Sequence, residues 1–174
     1  ISAMFVMNTK FLPAAGYEQY EISNFARLSR PDEDHPADYR CRHNLVYWQY
    51  RDYLGLGLDA CSTVADRRWT NVSVLGEYFR AINSGAAPTA VVETISPRQG
   101  MAEMLMLGFR LRAGPDPEVF RARWGVTIDE ALGERVNPLL AGGFLQKKAG
   151  AYRLTTRGML VSNQVLTKLL TPLL

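Results

Sequence analysis

The sequence predicts an α/β protein whose second half is a helical, winged-helix-like domain. Three observations carry this. Two capping boxes, Ser96-Pro97-Arg98-Gln99 and Thr127-Ile128-Asp129-Glu130, mark helix starts, because each places a hydroxyl at the cap and a Glu or Gln three residues on. Phe144–Lys148 and Ala151–Leu154 flank Ala149-Gly150, which reads as a β-hairpin. In the first half, short aromatic- and glycine-rich runs alternate with helical periodicity, as strands between helices do.

Taken in order, residues 4–14 form a helix with Met4, Met7, Phe11 and Leu12 on one side. Pro13 kinks or ends it, and Gly16 stops it. Tyr20–Phe25 reads as a strand. Residues 27–40, with Pro31, Pro36 and four acids, read as a solvated loop holding an exposed His35. Residues 45–53 read as a short strand or a helical turn. Tyr53–Ser62 reads as a buried strand with a tight turn, its glycines allowing close backbone approach. A helix over 72–84 presents Leu75, Tyr78, Phe79 and Ile82, stopped by Gly85.

Beyond residue 95, a Met/Leu-rich helix runs to about Leu111, burying Met101, Leu105, Gly108 and Phe109. Asp116-Pro117 opens a helix through Trp124. The helix from Thr127 ends at Gly142-Gly143 and is kinked by Pro138. The hairpin follows, and Thr155 caps a last helix toward Leu170. The division falls at 1–90 and 91–174.

Composition narrows the function. A chain of 174 residues with 47% hydrophobic content can bury a core. No apolar run reaches the roughly 18 residues a spanning helix needs. Two cysteines are too few for a disulfide framework or a three-cysteine iron–sulfur site, and they fit a reducing, cytoplasmic setting (or an organelle in a eukaryote). Ile1, and a helix already under way by residue 4, lead us to expect the C-terminal part of a longer chain.

Charge is uneven. Residues 1–94 hold 9 Lys+Arg against 11 Asp+Glu, and residues 95–174 hold 11 against 6. Nucleic-acid binding by the basic half is nevertheless disfavoured. The helix that would enter a groove carries Asp129, Glu130 and Glu134 against one Arg135, which phosphate would repel. Lys147 and Lys148 could touch a phosphate backbone without reading sequence.

The densest chemistry lies at Cys41-Arg42-His43-Asn44-Leu45-Val46-Tyr47-Trp48. Imidazole and thiolate both ligate haem iron, and aromatic faces suit a macrocycle. His43 is the candidate iron ligand and Cys41 the alternative. Arg40 and Arg42 either pair with propionates or are solvated. Two residues apart, Cys41 and His43 give no nucleophile–base pair, and no serine elbow, HExxH or paired-cysteine zinc pattern occurs.

His43-Asn44-x-x-Tyr47-Trp48, preceded by Tyr20-Glu21-Ile22-Ser23-Asn24-Phe25-Ala26, resembles the radical-SAM haem chaperones of the coproporphyrinogen-oxidase-like family. Ordered matches continue through Tyr53-Leu54-Gly55 with Gly57, Glu103, Leu107-Gly108, Arg110-Leu111, Gly143-Phe144-Leu145, Leu154–Gly158 and Ser162-Asn163. The resemblance implies the last strands and helices of a partial (β/α) radical-SAM barrel, followed by the winged-helix-like domain. It implies haem held at His43, Asn44, Tyr47 and Trp48, and a turn at Gly55 and Gly57 near an S-adenosylmethionine pocket. That turn departs from the family's Gly-x-Gly-Ala-His-Ser at Asp59 and Cys61. The [4Fe–4S] cluster motif of the family, Cys-x3-Cys-x2-Cys, is not in this sequence. The implied function is haem transfer to an acceptor protein. The alternative is oxygen-independent coproporphyrinogen III dehydrogenase, a decarboxylating enzyme. A barrel without its first strands exposes sheet edges, which would favour a homodimer.

Overall fold

A computed structural model describes residues 2–29 and 37–173. His35 lies outside the described residues. In chain order the elements are α1 (Ser2–Ala14), β1 (Tyr17–Gln19), β2 (Phe25–Arg27), α2 (Arg42–Trp48), β3 (Cys61–Val64), β4 (Arg67–Asn71), α3 (Leu75–Asn83) and β5 (Thr89–Thr94). They continue with α4 (Pro97–Gly108), α5 (Pro117–Trp124), α6 (Ile128–Leu132), α7 (Asn137–Ala141), β6 (Leu145–Lys148), β7 (Ala151–Leu154), α8 (Thr156–Leu160) and α9 (Ser162–Leu170). The fold is mixed α/β with small sheets. Every strand pair among the described residues is antiparallel: β1–β2, the three-stranded β3-β4-β5, and β6–β7. No described helix is long and apolar enough to cross a membrane.

The chain divides into two compact units, residues 1–50 with 101–174, and residues 51–100. Neither unit is bounded at residues 90–91.

In the first unit, helix starts follow local chemistry. The Asp116 carboxylate accepts from the backbone N–H groups of Glu118 (2.9 Å) and Val119 (3.1 Å), with Pro117 pre-set for the first turn. The Thr127–Glu130 box is complete, each side chain taking the other's backbone N–H. The hairpin turn puts both Ala149 (φ 49°) and Gly150 (φ 80°) in the left-handed region, the twist a two-residue connection needs. The Thr155 hydroxyl accepts from Gly158 N–H at 3.0 Å and starts α8.

These elements surround one core in which Leu105, Phe109, Phe120, Leu132, Leu154 and Leu169 are fully buried. Within it, the Trp124 indole N–H donates to the Met104 sulfur at 3.2 Å.

The structure corrects several expectations. Of Tyr20–Phe25, only Phe25 lies in a strand, opening β2, and residues 20–24 connect β1 to β2. The stretch from Thr127 is broken rather than kinked, since Gly133 (φ 55°) starts a 3₁₀ turn and Pro138 sits in the first turn of α7, where its missing N–H costs nothing. The last helix is interrupted at Val161. α1 forms where a helix was expected, with Met4, Met7 and Phe11 exposed. Ser96 accepts from Gln99 N–H at 3.2 Å, and the Gln99 side-chain amide donates to Glu93 (2.8 Å).

In the second unit, Tyr53–Ser62 is not a buried strand. Leu54, Leu56 and Leu58 are exposed, and pairing begins only at Cys61, apart from the bridge of Tyr53 to Thr63. α3 likewise exposes Leu75, Phe79 and Ile82. β4 and β5, paired from Arg67↔Thr94 to Asn71↔Thr89 with an irregularity at Thr70/Asn71, were not foreseen from the sequence.

Candidate functional site

The segment 45–53 resolves as a helical turn. Helix α2 begins after Cys41, whose backbone is extended (ψ 102°) and whose carbonyl accepts from Leu45 N–H at 3.0 Å. The Tyr20 hydroxyl accepts from the Cys41 N–H at 3.4 Å. Tyr20, Ala26 and Leu45 form a small buried cluster with Leu111 packed on it. Thus the hairpin carrying Tyr20-Glu21-Ile22-Ser23-Asn24-Phe25-Ala26 seats the start of α2.

The hairpin itself is a built turn. Tyr20 N–H donates to Asn24 O (3.3 Å), the Gln19 amide donates to Ile22 O (2.9 Å), and Arg112 N–H donates to Tyr20 O (2.9 Å). Glu21 is buried; one carboxylate oxygen accepts from Ser23 N–H at 3.1 Å, and the other has no hydrogen-bond partner. Sequence reading marked this run as a strand and as a family block. Its structural work becomes visible once the turn closes.

On α2, a spacing of four residues puts side chains on one face. His43 and Tyr47 meet edge-on with ring centroids 4.9 Å apart. His43 is exposed and Tyr47 half-buried. Leu45 and Trp48 turn inward. The Arg110 guanidinium lies 4.5 Å from the Trp48 ring centroid, and the Trp48 indole N–H is buried without an acceptor. So the four motif residues divide: His43 and Tyr47 form an outer pair, Trp48 is half-buried against Arg110, and Asn44 is half-buried as well.

Cys41 is an exposed free thiol. Arg40 is committed elsewhere. It binds both Asp38 oxygens (2.8 and 2.7 Å) and reaches Glu18 at 4.0 Å. Those hydrogen bonds push the exposed Asp38 carboxyl down to about 2. Arg42 is exposed and forms no ion pair among the described residues.

Gly55 and Gly57 lie in the other unit. A Cβ at Gly55 would sit 2.2 Å from the Cys61 carbonyl oxygen, and Gly55 N–H donates to the Ser62 hydroxyl at 3.0 Å. Gly57 has φ 106°, and its carbonyl accepts from the Asn71 amide at 2.7 Å. At Gly55 the expected close approach is made by the chain's own backbone, whereas a Cβ at Gly57 would meet nothing within 4 Å and only its positive φ favours glycine. No group of three or more potential metal ligands occurs among the described residues.

Sequence reading missed a cavity of about 360 Å³ in the first unit, among Trp48, Glu103, Met106, Arg110, Asn163 and Leu170. Trp48, Glu103, Arg110 and Asn163 were each part of a separate matching block; only the fold brings them to one wall.

Comparison with known proteins gives a consistent picture. Residues 95–161 match the model of the HemN C-terminal domain. The heme chaperone HemW of Mycobacterium tuberculosis (strain H37Rv) is 33% identical over 159 residues, covering 91% of this chain and 36% of that protein. HemW of Bacillus subtilis is 29% identical over 154 residues, covering 88% and 38%. HemW of Escherichia coli K12 is 28% identical over 173 residues, covering 94% and 40%. Among solved structures, coproporphyrinogen III oxidase HemN from Escherichia coli, described as a radical SAM enzyme, shares the fold with TM-score 0.64 at 16% identity. That match covers 96% of this chain and 40% of the other. The chain thus spans about two fifths of the length of these relatives.

Proposed function

Taking as premise that the chain is a HemW/HemN-like C-terminal portion, we propose that the protein is a haem chaperone, holding haem at His43 and passing it to an acceptor protein. One observation carries the site: an exposed imidazole on a short, well-seated helix, meeting the Tyr47 ring edge-on.

These residues fit haem in donor chemistry. A macrocycle brings four nitrogens of its own, so one axial side chain suffices, and exposed His43 supplies it, with the exposed Cys41 thiol as the alternative. Haem, when bound, supplies an iron with open axial positions. The Tyr47 ring meets the His43 ring edge-on, and Asn44 follows His43 on the same helix. Surface exposure suits a site that must release its cargo to another protein. Trp48 contributes by anchoring α2 through Arg110.

The residues here do not fit an iron–sulfur cluster. The two cysteines, 41 and 61, fall in different units. In this reading the cluster and S-adenosylmethionine belong to sequence outside this chain, with Gly55 and Gly57 bordering the latter. The order of helices α4 to α7, hairpin β6–β7 and helices α8 and α9 after residue 97 supports a winged-helix-like domain over 91–174. The segment before it is read as the end of the barrel. Its role in packing rather than nucleic-acid contact is supported by Lys147, held by Asp129 at 2.6 Å. A homodimer in the cytoplasm completes the reading.

The test is a haemin titration of the natural-length protein followed by visible absorption. His43→Ala is expected to abolish the Soret shift while Cys41→Ala retains it. Unchanged spectrum and affinity in His43→Ala would remove the ligand assignment. The decarboxylase reading, kept open by the fold match to HemN, is decided by an anaerobic assay of the same protein for protoporphyrinogen.

A further inference from the structure

The cavity of about 360 Å³ in the first unit is of ligand size. Ala102, Met106, Leu107, Leu166 and Leu170 give it an apolar lining, and Asn163, Thr167 and Thr171, spaced by four on α9 and the turn after it, run along one side. Trp48 and Arg110 both belong to this lining, and each carries a buried donor without an acceptor, the Trp48 indole N–H and the Arg110 Nε–H. Arg110 stacks on Trp48 yet forms no ion pair among the described residues.

Such an arrangement is incomplete. A buried donor without an acceptor costs roughly 1–3 kcal/mol, and more when it is charged. Stacking on an indole face partly offsets the charge of a guanidinium but takes none of its N–H hydrogens. The Glu103 carboxylate on the same lining accepts from the Tyr50 hydroxyl at 3.1 Å and does not pair with Arg110. A carboxylate oxygen is the group that satisfies an indole N–H and a guanidinium together.

We propose that this cavity binds an apolar molecule ending in a carboxylate, its charge on Arg110 and Trp48 and its apolar body against α4 and α9. The site is separate from His43, which belongs to the outer pair on α2, and it does not depend on iron. The carboxylate could come from a free aliphatic acid or from the propionate of a porphyrin; the chemistry recognised is the same.

The test is equilibrium dialysis of the natural-length protein against labelled decanoate, with decanol as the neutral counterpart. Decanoate is expected to bind saturably at one per chain, with decanol at least tenfold weaker. Arg110→Gln should weaken decanoate at least tenfold and leave decanol unchanged. Thr167→Trp, a substitution at an exposed rim residue, should remove both at unchanged melting temperature. Haemin that displaces decanoate identifies a propionate as the natural source; decanoate retained at saturating haemin identifies a free acid. Non-saturable uptake, equal affinity for decanol, or full binding by Thr167→Trp would overturn the proposal. The Soret response of His43→Ala is read separately, so loss of either site leaves the other measurable.

Discussion

The two units solve the problem of stability in different ways. In the first, side chains from α4, α5, α6, β7 and α9 close over one another, and Leu105, Phe109, Phe120, Leu132, Leu154 and Leu169 reach 0% exposure. In residues 51–100, Ile95 is the only buried apolar side chain. The interior positions there are taken by Ser62, Thr63 and Asn71, which serve the backbone: Ser62 accepts from Gly55 N–H, and Asn71 donates to Gly57 O. One unit is held by packing, the other by a three-stranded ladder and its polar stitches. A small sheet needs an apolar face for independent stability. The second unit presents its large apolar side chains, including Leu56, Phe79, Val91 and Val92, outward.

The contrast can be broken most directly by truncating equivalent side chains. Phe109→Ala removes a fully buried ring and is expected to cost about 3–5 kcal/mol. Phe79→Ala, at 54% exposure, should stay within about 0.5 kcal/mol. Hydrogen exchange under mild urea, read at α4 and β4 amides, separates the two. Equal losses would mean that the units do not differ as described.

A smaller effect tests the ladder. Gly55→Ala drives a Cβ to 2.2 Å from the Cys61 carbonyl, which the backbone must relieve at about 1–3 kcal/mol. Protection should fall at β3 and β4 while α4 amides are unaffected. Loss confined to α4 would contradict the assignment of Gly55 to this turn.

The smallest effect is electrostatic. Hydrogen bonds from Lys147 and then Tyr152 lower the Asp129 carboxyl from its ordinary value. A carboxyl lowered on folding stabilises fully above its unfolded value and loses that contribution as pH falls through the folded one. Melting temperature should therefore decline more steeply below about pH 4 in the parent than in Asp129→Asn. With both charged side chains substantially exposed, the pair contributes under about 1 kcal/mol. An identical pH profile for the two would show that the pin between α6 and the hairpin carries no energy.

The same contrast explains what was legible in the sequence. Capped helices and the tight hairpin were readable because Asp116-Pro117, Thr127–Glu130 and Ala149-Gly150 act locally on their own neighbours. β4 and β5 were missed because their energy lies in pairing some twenty-five residues apart (Arg68 with Glu93), and exposed strands carry little alternation. Helix α2 was readable as a motif but not firmly as a helix. Asn, Val, Tyr and Trp are indifferent helix formers, so Leu45 and Trp48 hold it by tertiary contact. The cavity was unreadable, since Trp48, Arg110 and Asn163 share a wall only after folding.

The contact of Trp124 with Met104 carries a further lesson. Hydropathy counts Met104 as grease, yet its thioether lone pair is the acceptor for the indole hydrogen at 3.2 Å. Leucine would match its volume and offer no lone pair. Met104→Leu is thus a polar deletion disguised as a conservative swap, and oxidation of that sulfur would spoil shape and acceptor in a single event.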